Sequence, residues 1–314
     1  MHSLRIATLV GVLLAGTATA QTVGNAETSP RPTFRAGVDL VSVAAVVRDK
    51  RGQVVRNLSR EDFEVFDNGV RRPIIQFSSG ENGPISLAVL VDVSGSMSMA
   101  SHLDAARSAL DLMLLRLRAG QDEVALFSFD RELTEHQPFT TNPAEIRHAL
   151  TELTPFGITS LYDAIAETAR RVETREYKRR AILVLTDGMD TASRLTPGEV
   201  SAIASATDVP VYVMAVLSPI DHDAARSTDT QATPTGQLTN LAWWTGGNAY
   251  VVSAPAHAVT ATEHVLSELR HQYVFAFEAA GAAGWRPLDV RMRKREFSVR
   301  ARSGYFASQR ASGE

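Results

Sequence analysis

One stretch, Leu87-Ala-Val-Leu-Val-Asp-Val-Ser-Gly-Ser-Met97, constrains the fold more than any other part of the chain. The apolar run from Leu87 to Val91 is rich in β-branched and small residues, the pattern of a strand buried on both faces in a parallel sheet. It ends at Asp92-Val93-Ser94-Gly95-Ser96, a polar loop whose glycine permits a tight turn. Leu103, Ala106, Leu110, Met113, Leu114 and Leu117 then recur at helical spacing, and Gly120 sits where a helix stop is expected. Strand, polar loop and helix in this order place one carboxylate and two hydroxyls at the carboxyl end of a central strand, where open α/β sheets bind their ligands.

These side chains offer only hard oxygen, which suits Mg²⁺, Ca²⁺ or Mn²⁺ better than Zn²⁺ or Cu. On this loop alone a local role, in which the Asp and the two Ser cap helix and turn, accounts for the residues equally well.

The first twenty residues read as an export signal. Met1 to Arg5 is a short basic region, Ile6 to Gly16 an apolar core, and Ala18-Thr19-Ala20 a small-x-small cleavage site before Gln21. The apolar run is well short of the ~20 residues of a spanning helix, and no later stretch is long enough either. The chain has no cysteine, so neither disulfides nor an N-terminal lipidated Cys is available. The expected product is exported, periplasmic or secreted. A net charge of −3 gives no support for nucleic acid as the main partner.

Residues 21–32 form a polar lead-in. From Phe34 to Phe77 the pattern is β: a long strand Val38 to Val47, a turn at Asp49 to Gly52, a single helical turn capped by Ser59 with Asp62, and a hairpin. The hairpin joins Phe63–Phe66 to Val70–Phe77 through Asp67-Asn68-Gly69, and Pro73 in its second strand points to an edge. Residues from Pro84 to Leu269 alternate strand and helix, as in a doubly wound sheet. Expected strands include 123–129, 180–186, 209–216 and 249–252. The helices fall near 143–150, 161–169, 197–206, 237–245 and 257–270, with a polar surface loop at 218–236. Three alternating stretches at the end, around Tyr273 to Phe277, Leu288 to Met292 and Phe297 to Ala301, return to β. Neither β segment suffices alone. The expected architecture is therefore an α/β domain, a doubly wound and mostly parallel sheet at 84–270, inserted into a discontinuous all-β sandwich of 33–80 plus 271–307, with a tail at 308–314.

Two further stretches join the loop at 92–96. Thr159 lies in Pro155-Phe-Gly-Ile-Thr-Ser-Leu-Tyr-Asp-Ala-Ile165, a loop entering a helix, and Asp187 in Leu183-Val-Leu-Thr-Asp-Gly-Met-Asp190, at the end of a second central strand. Asp92, Ser94, Ser96, Thr159 and Asp187, in this order and at these strand ends, resemble the metal-ion-dependent adhesion site of von Willebrand factor type A domains. The flanks, with Asn57-Leu-Ser-Arg-Glu-Asp-Phe-Glu-Val-Phe-Asp-Asn-Gly69 and the closing Val299-Arg-Ala-Arg-Ser-Gly-Tyr-Phe306, resemble a group of secreted bacterial proteins that embed such a domain between β segments. The resemblance implies that Ser94, Ser96 and Thr159 bind a divalent ion directly, Mg²⁺ first and Mn²⁺ or Ca²⁺ next. Asp92 and Asp187 act directly or through water. It also implies a protein partner whose Asp or Glu carboxylate completes the shell, with Gly95 keeping the rim low.

The remaining candidates are weaker. Asp190 reads as a helix cap or solvated charge before a rim carboxylate; Asp163 is divided between supporting Thr159 and lying on a helix surface. Trp243 and Trp244 are expected in the core, all eight histidines at the surface, and the basic run Arg291, Arg293, Lys294 and Arg295 on a solvated face. No Gly-x-Ser-x-Gly, Ser-x-x-Lys, His-Glu-x-x-His or phosphate-cradling loop is present. The expectation is a metal-dependent protein-binding module without enzymatic activity. Its alternatives are a structural subunit of an envelope or extracellular assembly in which the ion only stabilises the fold and, behind that, a metal-dependent hydrolase.

Overall fold

The computed structural model describes residues 40–79, 83–217, 234–279 and 283–307. The export signal, the lead-in, the loop at 218–233 and the tail lie outside the described residues. At the centre is a six-stranded sheet built from β5 (Ile85–Asp92), β6 (Glu123–Phe129), β7 (Leu133–Thr140), β8 (Arg179–Thr186), β9 (Val211–Val216) and β10 (Ala249–Val252), in the order β10-β9-β8-β5-β6-β7. All neighbours are parallel except β7, which runs back along β6 at the edge. Every residue of β5 is buried. Its alternation splits the run between two cores, as expected for a strand covered on both faces.

Leu87, Val89 and Val91 pack with α1 (His102–Arg116), α2 (Pro143–Leu150) and α6 (Pro255–Arg270). Ala88 and Leu90 pack with α3 (Leu161–Glu173), α4 (Pro197–Ala206) and α5 (Pro234–Trp244). Two helices carry side-chain N-caps: Asn142 Oδ1 accepts the Ala144 N–H at 3.1 Å ahead of a proline at N1, and Thr196 with Glu199 makes a full capping box. Among the described residues no helix is long and apolar enough to cross a membrane.

Strands from both ends of the chain form two four-stranded antiparallel sheets. The first has the order β13-β1-β11-β4, from Ser298–Ala301, Leu40–Arg48, Tyr273–Glu278 and Ile74–Ser79. The second has the order β14-β12-β2-β3, from Gly304–Ala307, Gly284–Met292, Phe63–Asp67 and Val70–Arg72. They share one core, in which Phe63 lies 5.6 Å from Phe275 and Phe277 lies 5.8 Å from Tyr305, ring centre to ring centre. Two details differ from expectation. The strand expected at 70–77 divides at Pro73: β3 pairs with β2 in one sheet and β4 with β11 in the other, because proline cannot donate to a ladder. The closing segment makes four strands, since β14 turns away from β13 to pair with β12.

Arginines join these sheets to the α/β layers. Arg48 of β1 and Arg300 of β13 both pair with Glu268 of α6, which is completely buried. Arg302 donates to the Ser205 and Ser42 carbonyls and lies 3.4 Å from Asp208. Trp243 and Trp244 are 57% and 39% exposed, contrary to the expectation of core positions. Their place next to Gly246 follows from the backbone: Gly246 has φ +88°, and a Cβ there would lie 3.0 Å from the Arg302 nitrogen. Trp243 meets the Arg300 guanidinium at 5.8 Å.

Candidate metal centre

Parallel pairing sets the site. Val91 of β5 stands opposite Leu185 of β8, so the next residues, Asp92 and Thr186, end adjacent central strands together. Here the chain order reverses between β6 on one side of β5 and β8 on the other, the crevice in which such sheets bind ligands. Asp92 is completely buried. Its Oδ1 accepts the Ser94 N–H at 2.9 Å and its Oδ2 accepts the Thr186 hydroxyl at 2.6 Å. The Thr186 oxygen in turn accepts the Gly188 N–H at 3.0 Å.

After Asp92 the chain enters a 3₁₀ helix, Gly95–Ser101, that leads into α1. Ser94 holds the N-cap position, yet its side chain makes no capping bond. Its Oγ lies 3.1 Å from Ser96 Oγ instead. The purely local role therefore does not hold for Ser94.

Two other loops are laced to this one. The Phe156 N–H donates to the Val93 carbonyl at 2.6 Å, and the Gly95 N–H to the Gly157 carbonyl at 3.0 Å. Gly157 has φ +92°, and a Cβ there would lie 2.9 Å from Asp130 Oδ2, so the turn needs glycine. These bonds bring the loop of Thr159, itself 3% exposed, against the loop of Ser94 and Ser96. The Thr159 carbonyl accepts the Thr191 and Ala192 N–H groups, which fixes it to the loop after Asp187. Asp187, 8% exposed, receives the Met189 N–H at Oδ1.

Asp190 caps α3, as the capping expectation has it, but from a distant loop: its Oδ1 accepts the Leu161 N–H at 2.9 Å and the Ser193 hydroxyl at 2.6 Å. Ser160, the N-cap residue itself, makes no side-chain cap. Asp163 accepts the Arg194 and Leu195 N–H groups, so it holds the 187–195 loop against α3.

The electrostatics call for a cation. Burial pushes the Asp92 carboxyl up to about 6, against the hydrogen bonds from Ser94 and Thr186, and the neighbouring charge acting on it, Asp187, is of like sign and adds to the rise. Two carboxylates at one buried sheet end repel each other, and a dication near them would relieve both penalties. Among the described residues no group of three or more His, Cys, Asp or Glu side chains is placed to hold a metal. An ion here would rest on hydroxyl oxygens near the two acids, a donor set suited to hard dications.

Sequence reasoning missed two residues. Thr186 reads as one more β-branched strand residue until the pairing register is known. His102 departs from the expectation that all histidines lie at the surface: it is 6% exposed, with Nδ1 4.0 Å from Asp187 Oδ2. The loops of the site also carry exposed apolar side chains, Phe156 at 80%, Met99 at 60%, Met189 at 48% and Ile158 at 46%.

Residues 87–189 match the model of the von Willebrand factor type A domain. No curated protein matches the chain. Among solved structures, BatB from Bacteroides thetaiotaomicron is similar at 17% identity and a TM-score of 0.48, over 59% of this chain and 98% of that one. A von Willebrand factor type A protein from Catenulispora acidiphila has 12% identity and a TM-score of 0.48, over 87% and 74%. The proximal thread matrix protein 1 of the mussel byssus, with a zinc-occupied MIDAS motif, has 17% identity and a TM-score of 0.49, over 65% and 49%. Likeness at this level says nothing of what the present chain binds. The match to the von Willebrand factor type A domain over 87–189 coincides with the strand ends and loops that hold Asp92, Ser94, Ser96, Thr159 and Asp187.

Proposed function

We propose that this chain is an exported, non-enzymatic protein-binding module that captures a partner's Asp or Glu carboxylate through a divalent cation, Mg²⁺ in the first instance. One observation carries the reading: Asp92 ends β5 and Asp187 directly follows the last residue of the neighbouring β8, with the hydroxyls of Ser94 and Ser96 3.1 Å apart in the loop after Asp92. The ion supplies an electrophilic position that accepts an outside oxygen. The chain's residues do the rest. Thr186 and the Ser94 N–H orient Asp92, while the Thr159 and Asp187 loops are tied to each other through Thr191 and Ala192. With Ser94, Ser96 and Thr159 as direct, neutral ligands and the two acids acting through water, the ion stays electrophilic enough to accept an outside carboxylate.

The exposed Phe156, Ile158, Met189 and Met99 favour a protein as the source of that carboxylate, because such side chains gain from being covered while a small acid would leave them in water. In the same reading the α/β unit of 84–270 is a domain inserted into the β-sandwich of 33–80 plus 271–307.

Affinity capture from cell-envelope extract in Mg²⁺, followed by EDTA elution and mass spectrometry, tests the function. A protein released by EDTA from the wild type and not retained by Asp187→Ala supports it. Equal retention by both, in Mg²⁺ and in EDTA, overturns it and leaves the ion a structural role. For export, N-terminal sequencing that begins at Gln21 is the supporting result, and Met1 retained in envelope material is the contrary one.

A further inference from the structure

His102 opens α1, at the end of the 3₁₀ helix that carries Ser96. Its side chain is 8% exposed, and neither ring nitrogen has a hydrogen-bond partner among the described residues. An imidazole carries a donor and an acceptor in its neutral form, and each polar group left unpaired away from water costs about 1–3 kcal/mol. A buried ring of this kind calls for a reason.

The surroundings supply one. Nδ1 lies 4.0 Å from Asp187 Oδ2, too far for a hydrogen bond. It is, however, the span of two donors on either side of one ion with bonds of about 2.0–2.2 Å. Asp187 is one of the five residues of the candidate centre, and it reaches this position from β8 while His102 reaches it from α1. The nitrogen therefore approaches Asp187 from a different element of the fold.

We propose that His102 is a further ligand of this metal centre, a nitrogen donor that turns an oxygen-only site toward Zn²⁺ relative to Mg²⁺. The proposal rests on the reading of the centre as a metal site. Its chemistry follows from ligand softness: imidazole adds little for Mg²⁺, which prefers oxygen and dehydrates reluctantly, and much for Zn²⁺. A ligand on α1 also ties the position of that helix to the ion.

The experiment uses the full chain stripped of metal and reloaded with Mn²⁺, read by pulsed electron paramagnetic resonance for coupling to ¹⁴N, beside calorimetric titrations with Zn²⁺ and Mg²⁺. Nitrogen coupling in the wild type that disappears in His102→Gln is expected. Zn²⁺ affinity should fall by about tenfold or more in that variant, with Mg²⁺ affinity within about twofold. His102→Phe keeps the bulk of the ring, and the same loss is expected there, so a folding defect of either variant alone does not decide the matter. Mn²⁺ bound without nitrogen coupling in the wild type, or equal losses for Zn²⁺ and Mg²⁺, overturns the role of His102 and leaves the metal centre standing. No binding of any of the three ions by the wild type overturns both.

Discussion

The hydroxyl of Thr186 donates to Asp92 Oδ2 across 2.6 Å, joining the ends of two strands 94 residues apart in sequence. The bond does two things. It holds the carboxylate in one orientation, and it makes the Thr186 oxygen an acceptor for Gly188, so that the turn after Asp187 is built on the same hydroxyl. Groups that orient a metal ligand in this way are typically worth about 10–100-fold in affinity. Thr186→Val keeps the shape and removes the hydroxyl. Metal affinity measured by calorimetry should fall in that range, and thermal stability should drop by about 1–3 kcal/mol for the unpaired carboxylate oxygen. Unchanged affinity would show that Asp92 is held by other means.

Asp122 gives the acid dependence. Burial raises the carboxyl, but hydrogen bonds from Arg118 and Arg270 outweigh it and hold Asp122 below its usual 3.8. The residue also accepts the Ile85 N–H at the start of β5 and so joins that strand to α6 through Arg270. A carboxyl held lower in the folded state contributes stability that is fully present above its unfolded value and is lost as pH falls through its folded value. Urea unfolding of the wild type should therefore weaken below about pH 4. Asp122→Asn should be less stable near neutral pH and should show a smaller further loss in that acid window. Parallel pH profiles for the two proteins would refute the assignment.

Glu268 is the anchor between α6 and the antiparallel sheets. It is completely buried and pairs with both Arg48 and Arg300. Removing its charge leaves two guanidinium groups without compensation in a dry interface, which typically costs about 3–5 kcal/mol. Glu268→Gln should lower the unfolding midpoint accordingly. Replacing all three, with Arg48→Met and Arg300→Met added, should recover much of the loss, because an apolar triad carries no stranded charge. Additive losses across the three changes would contradict this account.

The parts of the fold legible in the sequence were those set by local pattern. The apolar runs of β5 and β8 are buried on both faces because their neighbours are parallel and helices cover each side, and such runs announce themselves. The cap at Asn142, ahead of Pro143, is equally local. What escaped depends on contacts distant in sequence. Thr186 matters only through its register with Asp92. His102 is buried beside Asp187, a residue 85 positions on in sequence, and a helix-opening histidine carries no mark of that. Asp190 caps a helix 29 residues before it. Pro73 was readable as an edge signal, but its effect, sending one strand to two sheets, follows from partners at 63–67 and 273–278.

The central claim is that Asp92 and the residues gathered around it bind a divalent ion. The direct measurement is calorimetric titration of the metal-stripped protein with Mg²⁺ and Mn²⁺, in the wild type and in Asp92→Ala, with circular dichroism to confirm that both are folded. One ion should bind the wild type and none the variant, with the spectra superimposable. Equal affinity for both ions in a folded Asp92→Ala protein would contradict it.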